Sequence, residues 1–454
     1  MPSGPIFNRL LKPDYVTVRY HSTIMHTSAN CERRVDRALH GQKHDFQSRN
    51  TVLNWIKTSV VISVFSVLAA CGGSGSSALS SRPPVVPPQT SGQIPALSPG
   101  PHLGYIVGFE TLDARQTADA DNHFSEAVAA GMRISRIQIS WEELEPAPGI
   151  FESGNLMIAL DQATVSGQQP FLTLTTLDTG GLTIPLDLMA ADRLTPAAGL
   201  TLDGPEILGR FHAFLDWLIP EIAAYKVWGL AIANEPSSLF ESMDQQEITG
   251  FLIDGADYAG SLTDKISITA TLAGAADNDP QIIRFVADLM PHFDIASYNF
   301  YCLDSNTLQT TGQTVWEKNL NTFISRARGR EVFFQELGCP AGWGDLGGSA
   351  VTPRQVINAT PQIQTSFFRF MFVQIESRDI LRAATVFQLY DWSPGLARSF
   401  SDPYRLGGDP VTADRLEEWL ATIGLCRWSD RTCREAYDIF LEGVAQMATV
   451  RSGL

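Results

Sequence analysis

The chain has 454 residues, 44% of them hydrophobic and 18% charged, the composition of a folded globular protein with a sizeable core. Its formal net charge is −16, although residues 1–71 carry nine Lys or Arg against four Asp or Glu, so the acidity belongs to the remainder. A surface that acidic repels phosphate backbones and anionic lipid, which excludes nucleic acid as a partner and leaves a neutral substrate open.

Residues 1–51 are polar and without periodicity, and are kept out of the fold. They are either an over-extended start, with the working one near Val52 or Leu53, or a genuine extension. Residues 52–71 read as an export signal. Lys57 precedes an apolar run that is too short to span a bilayer and ends in small residues. Leu68-Ala69-Ala70-Cys71 resembles the bacterial lipobox, which implies acylation of Cys71 and a protein held at the cell envelope. By resemblance to Gram-negative sorting, the uncharged Gly72 favours the outer membrane. Residues 72–100 are rich in Gly, Ser and Pro and form a tether that holds a following domain away from the membrane.

From residue 101 to 454 the pattern is that of one domain. Eight strands are predicted, at 104–111, 134–141, 169–176, 227–236, 265–272, 293–301, 331–338 and 384–392. Helical patterns fall between most of them, as at 121–131, 204–224 and 361–378. Eight alternations over about 350 residues predict a single (β/α)8 barrel. The alternative, an open doubly wound sheet, needs a Gly-rich phosphate turn after an early strand, and Gly104-Tyr105-Ile106-Val107-Gly108 is not one. The last segment, 412–450, reads as helix, turn, helix. Of six cysteines, none has CxxC or zinc spacing, so no metal is predicted. Cys426 and Cys433 face each other across the C-terminal turn, and Cys302 and Cys339 follow neighbouring strands. Export permits a disulfide in each pair, with free thiols the alternative.

Two short strings carry the chemistry: Asn234-Glu235-Pro236 at the end of the fourth strand, and Glu336 at the end of the seventh, in Phe333-Phe334-Gln335-Glu336-Leu337-Gly338. Strand C-termini are where this fold builds its active sites. A glycosidic bond breaks through an oxocarbenium-like transition state. One carboxylic acid protonates the leaving oxygen and one carboxylate attacks or activates water.

In this arrangement the chain resembles the clan A retaining glycoside hydrolases, which include cellulases, mannanases and xylanases. Gly131-Met132-Arg133-Ile134-Ser135-Arg136-Ile137-Gln138 is similar to their second-strand segment. The run from Trp141 through Leu144-Glu145-Pro146 to Gly149-Ile150-Phe151-Glu152 is similar to the one that follows it. The resemblance covers most of residues 101–410. It implies Glu235 as general acid/base and Glu336 as nucleophile, with no cofactor. It also implies Asn234 on the sugar 2-hydroxyl and Arg136 lowering the pKa of Glu336. Tyr301 donates to Glu336, with Tyr298 the alternative, and Trp392 lies beneath the reactive sugar. Trp141 and Trp343 are sugar platforms or packing. Glu142, Glu143 and Glu145 are expected in a solvated loop, and His212 and His292 in structural roles. Several cellulase-like families place a His soon after the third strand. Here Asp178 stands in that region, which leaves the substrate open.

The reading is an exported, lipid-anchored retaining glycosidase acting on a poly- or oligosaccharide. A non-catalytic glycan-binding barrel and an envelope-glycan transglycosylase are the alternatives. Oligomeric state is left open.

Overall fold

The computed structural model describes residues 100–108, 112, 114–274, 276–346 and 355–452. The N-terminal extension, the signal segment with Cys71, and the tether up to residue 99 lie outside the described residues. Strands and helices alternate: β1 (His102–Ile106), α1 (Ala114–Ala130), β2 (Ile134–Ser140), α2 (Gly154–Val165), β3 (Gln169–Thr175), α3 (Pro205–Ala223), β4 (Gly229–Asn234) and α4 (Gln245–Leu262). Then come β5 (Ser267–Leu272), α5 (Pro280–Leu289), β6 (Ala296–Tyr301), α6 (Gln313–Arg326), β7 (Val332–Gly338), α7 (Pro361–Ser377) and β8 (Leu381–Phe387). Three further helices follow: α8 (Pro394–Leu406), α9 (Pro410–Leu420) and α10 (Glu435–Ser452).

Every ladder from β2 through β3, β4, β5, β6, β7 and β8 round to β1 is parallel and joins strands in chain order. The ring is nearly closed between β1 and β2. There a Cβ added to Gly104 would sit 2.8 Å from the Ile134 carbonyl, so only glycine permits that approach. This is a (β/α)8 barrel, not an open doubly wound sheet.

The period-two pattern of the strands sorts the interior into layers. Ile134, Phe171, Ala231, Ile295, Phe333 and Ala383 form an apolar layer. Two residues further along three of those strands, Arg136, Thr173 and Gln335 form a polar one. Arg136 Nε donates to Thr173 Oγ1 (3.2 Å) and to Gln335 Oε1 (3.0 Å). Outside, α3 turns Ile207, Phe211, Phe214, Leu215 and Leu218 onto the sheet. Helix starts are set by a cap residue followed by proline. Asp279, Thr360, Ser393 and Asp409 each accept a backbone N–H, and the proline after each opens the helix with a preset φ.

Several boundaries differ from expectation: β1 spans His102–Ile106 rather than 104–111, β6 starts at Ala296 rather than 293, and β8 runs from Leu381 to Phe387 rather than 384–392. Beyond β8 one bond still continues the ladder with β1, Leu389 N–H to Ile106 O (2.7 Å), and then the chain changes partners: Asp391 N–H donates to Cys426 O (3.0 Å) and Trp392 N–H to Leu420 O (3.1 Å). The C-terminal segment between α9 and α10 is fastened to this stretch by buried Arg434, which donates to both oxygens of Asp391 and to Asp345. Both expected disulfides are formed, Cys302–Cys339 between the ends of β6 and β7 and Cys426–Cys433 in the C-terminal turn.

The acidic run after β2 is not a uniformly solvated loop. Glu145 is buried, accepting from Trp141 Nε1 (2.7 Å), Gly149 N–H (2.7 Å) and Arg210 Nε (2.7 Å). Glu142 pairs with Arg193, and Glu143 closes a capping box with Ser140. Trp141 itself is fully buried against Phe211 and Phe214 of α3 and is packing, not a sugar platform. The Trp-to-Glu run that resembled the clan A segment is therefore a structural knot. Glu145→Ala leaves three donors without their acceptor, and should cost roughly 3 kcal/mol of stability. Denaturant unfolding checks this. A loss below about 0.5 kcal/mol would show that the knot contributes nothing.

Candidate active site

Glu235 and Glu336 both reach the C-terminal mouth, and in each case an irregular strand aims them there. Pairing of β4 with β5 slips between Ala231 and Asn234. Glu235, the next residue, then takes a left-handed backbone (φ 51°, ψ 44°), a conformation that costs a non-glycine residue on the order of 1 kcal/mol. Pairing of β6 with β7 matches Tyr298 to Phe334 but Asn299 to Glu336, so Gln335 is an extra residue. Strict alternation would send Gln335 and Glu336 to opposite faces. The bulge lets Gln335 face Arg136 while Glu336 also turns to the mouth.

The surroundings of the two carboxylates differ. Arg136 Nη2 lies 3.1 Å from Glu336 Oε1, and the Tyr301 hydroxyl donates to Glu336 Oε2 at 2.5 Å. Tyr301 can lie across the strand end because residue 338 is glycine. A Cβ there would sit 2.8 Å from its ring. Glu235 has no cation among its hydrogen-bond partners; Asn299 Nδ2 donates to its Oε1 (2.7 Å) and Thr179 Oγ1 to its Oε2 (3.0 Å). Burial, then repulsion from Glu336, push the Glu235 carboxyl up to about 7. Burial also raises Glu336, while Arg136 and Tyr301 pull it back. The expectation that Arg136 lowers the pKa of Glu336 therefore describes its direction of pull; the net shift is upward because the carboxyl is buried. The cation at the pair, Arg136, faces Glu336, which favours charge there and the proton on Glu235.

Of the other expected site residues, Asn234 is in place. Its Nδ2 donates to Asp178 Oδ1 (2.9 Å) and its Oδ1 accepts from Asn299 (3.3 Å). Tyr298, the alternative to Tyr301, is buried against Phe323 of α6 and away from Glu336. Trp392 is mostly buried, packs edge-on against Phe400 of α8, and does not end β8. The aromatic rings beside Tyr301 are Phe387, at the end of β8 (6.0 Å), and Trp419 of α9 (5.1 Å). Trp343 is buried, its N–H held by Glu418. His212 and His292 lie among the outer helices, facing Asp254 and Asp257.

Sequence reasoning missed Gln138, Thr179, Asn299, Phe387 and Trp419. Asn299 had a signal, two positions before Tyr301 on the same strand and hence on the same face. Trp419 had none, since α9 lies outside the barrel repeat. Among the described residues, His123, Cys426 and Cys433 are the group whose atoms approach metal-ligand spacing, but the two sulfurs are joined to each other.

No family model and no curated protein matches the chain. Solved structures do. An exo-β-1,4-mannosidase from Opitutaceae bacterium strain TAV5 superposes with a TM-score of 0.53 at 14% identity, over 78% of this chain. The GH5_18 glycoside hydrolase from Streptomyces cattleya in complex with GlcNAc reaches 0.55 at 16%, over 78% of this chain and 81% of that one. A GH5_18 variant from Bifidobacterium longum in complex with Manβ1-4GlcNAc gives 0.54 at 15%, over 76% and 78%. The chain has the fold of the (β/α)8 glycoside hydrolases. It spans 60% of the length of the Opitutaceae mannosidase.

Proposed function

We propose that this protein is a retaining O-glycoside hydrolase. The observation that carries the reading is the asymmetry of two buried carboxyl groups at one mouth. One is neutral up to about pH 7, and the other faces an arginine and a tyrosine hydroxyl. That is the division of labour glycoside hydrolysis requires. Glu336 attacks the anomeric carbon while Glu235 gives its proton to the departing glycosidic oxygen. Glu235, now a carboxylate, takes a proton from water as that water displaces Glu336 from the sugar. Arg136 and Tyr301 hold Glu336 in the charged form that attacks and receive it again as a leaving group. No step needs a cofactor.

The neighbours named above include a β-1,4-mannosidase and a complex with Manβ1-4GlcNAc, so β-mannosides head the substrates to be tried. Lipid attachment at Cys71 remains part of the proposal. It rests on the lipobox-like string and is compatible with two disulfides, which belong to oxidising compartments.

The test is a panel of aryl glycosides and oligosaccharides with the first-formed anomer followed by proton NMR. A β-glycoside should release the β-hemiacetal first. Initial release of the α-anomer would establish inversion, and tight binding without turnover would favour a glycan-binding barrel. The value of kcat/KM should fall as pH rises through about 7, where free Glu235 loses its proton.

A further inference from the structure

We propose that Asp178 is a positioning residue that braces both halves of the catalytic pair at once and sets a third negative charge beside them. The inference rests on the glycosidase reading, and its test is built to separate the two.

Asp178 belongs to a short hairpin after β3, in which Leu177–Asp178 pairs with Gly181–Leu182. The hairpin is seated on the turn that follows Glu235, through Gly180 N–H donating to Ser238 Oγ (2.9 Å). From there the carboxylate faces only donors. Asn234 Nδ2 (2.9 Å) and Thr179 N–H (2.8 Å) point at Oδ1, and Gln138 Nε2 (3.1 Å) points at Oδ2.

Both directions lead to a catalytic carboxylate. On one side, Gln138 Oε1 accepts from Arg136 Nη2 (2.7 Å), and the same nitrogen pairs with Glu336. On the other, Asn234 has its amide orientation fixed, because an ionised carboxylate accepts and cannot donate. Its oxygen must then face Asn299, whose Nδ2 also holds Glu235. Thr179, the residue after Asp178, holds the second oxygen of Glu235. A hydrogen-bonded chain thus runs from nucleophile to acid/base with Asp178 at its middle.

No neutral side chain of this size can replace it. An amide at 178 would present a donor to one of three donors. A carboxylate also adds charge to the mouth. The charged and titratable groups around it are Arg136 of β2, Glu235 after β4 and Glu336 of β7, with Tyr301 of β6 against Glu336. Asp178 raises both catalytic carboxyls, adding to the burial that holds the proton on Glu235.

The experiment compares wild type, Asp178→Asn, and the swap Asp178→Asn with Gln138→Glu, which moves the charge across one hydrogen bond. Two readouts are used: steady-state pH profiles on an aryl glycoside, and the carboxyl titration of Glu235 by carbon-13 NMR without substrate, assigned by difference from Glu235→Gln. Asp178→Asn should lower kcat by about 10²-fold with KM little changed, because the groups that act in the transition state lose their aim. Glu235 should titrate at lower pH, moving the basic limb of the profile with it, since a like charge has gone. The swap should return the titration towards wild type and recover roughly tenfold in kcat. An unmoved Glu235 titration in Asp178→Asn overturns the proposal whatever the activity. So does a rise in KM at unchanged kcat, which would make Asp178 a substrate ligand. If Asp178→Asn does not fold, the swap decides: with the charge restored to the neighbouring position, it should keep the wild-type Glu235 titration, and a swap lacking it overturns the brace. A wild type inactive on every glycoside sinks the glycosidase reading alone, because the NMR titration still reports on the brace.

Discussion

Glu336→Gln should abolish turnover on every glycoside, whatever the leaving group, by a factor on the order of 10⁵ or more. In the proposed mechanism the first chemical step is attack by this carboxylate. An activated aryl leaving group cannot compensate, because the missing bond is to the sugar and not to the leaving oxygen. Glutamine is the better probe than alanine. Glu336 pairs with Arg136, whose side chain is almost wholly buried, and deleting the partner outright would leave an isolated charge at a cost of roughly 3–5 kcal/mol. Glutamine keeps a carbonyl oxygen for Arg136 and Tyr301. The measurement is kcat on aryl and natural substrates beside a thermal melt. Residual activity within about 100-fold of wild type, in a folded variant, would remove Glu336 from the nucleophile role, since general acid–base losses already span that range.

Glu235→Ala should behave differently on different substrates. A phenolate with a low pKa leaves without protonation, so glycosylation of Glu336 survives. Release of the sugar then stalls, because water lacks its base. A burst followed by slow turnover is expected, with losses of about 10²–10⁴-fold on substrates whose leaving group needs the proton. Azide attacks the intermediate without base assistance, so it should restore turnover and give a β-glycosyl azide from a β-glycoside. Shortening the buried side chain at position 235 removes the carboxyl and leaves its volume for the anion. Pre-steady-state release and azide rescue in both variants decide the roles. If azide rescues only the Glu336 variant, or Glu235→Ala is dead on activated substrates, the assignments are reversed or wrong.

The positions of Glu235 and Glu336 were legible because they lie at strand ends. An Asn-Glu-Pro after one strand and a Glu ending another are readable wherever strand boundaries are, and β4 and β7 fall within two residues of their expected limits. The family resemblance pointed to Arg136 and Tyr301 beside Glu336, and both lie there. It failed where pairing partners outside the repeat took over. Trp392 is expected at the end of β8, but Asp391 and Trp392 donate to Cys426 and Leu420 outside the barrel, and the Trp392 ring packs on α8. Trp141 and Glu145 sat in a motif that resembled the family's and looked like rim. Arg210, on the distant helix α3, made them a buried knot.

Local sequence by itself determined the eight-fold alternation, the cap-and-proline helix starts, and the two strands that carry Glu235 and Glu336. Each follows from residues that are neighbours in the chain or one period apart. Tertiary structure alone decided how those carboxylates behave. The bulge at Gln335 that turns Glu336 inward exists only against β6 and β8. The chain from Arg136 through Gln138, Asp178, Asn234 and Asn299 to Glu235 joins three strands and a hairpin. The pKa of about 7 at Glu235 is a property of burial and of a neighbour about 100 residues away. Desolvation and Coulomb interaction depend on distance through the fold, and no local pattern of residues encodes that distance.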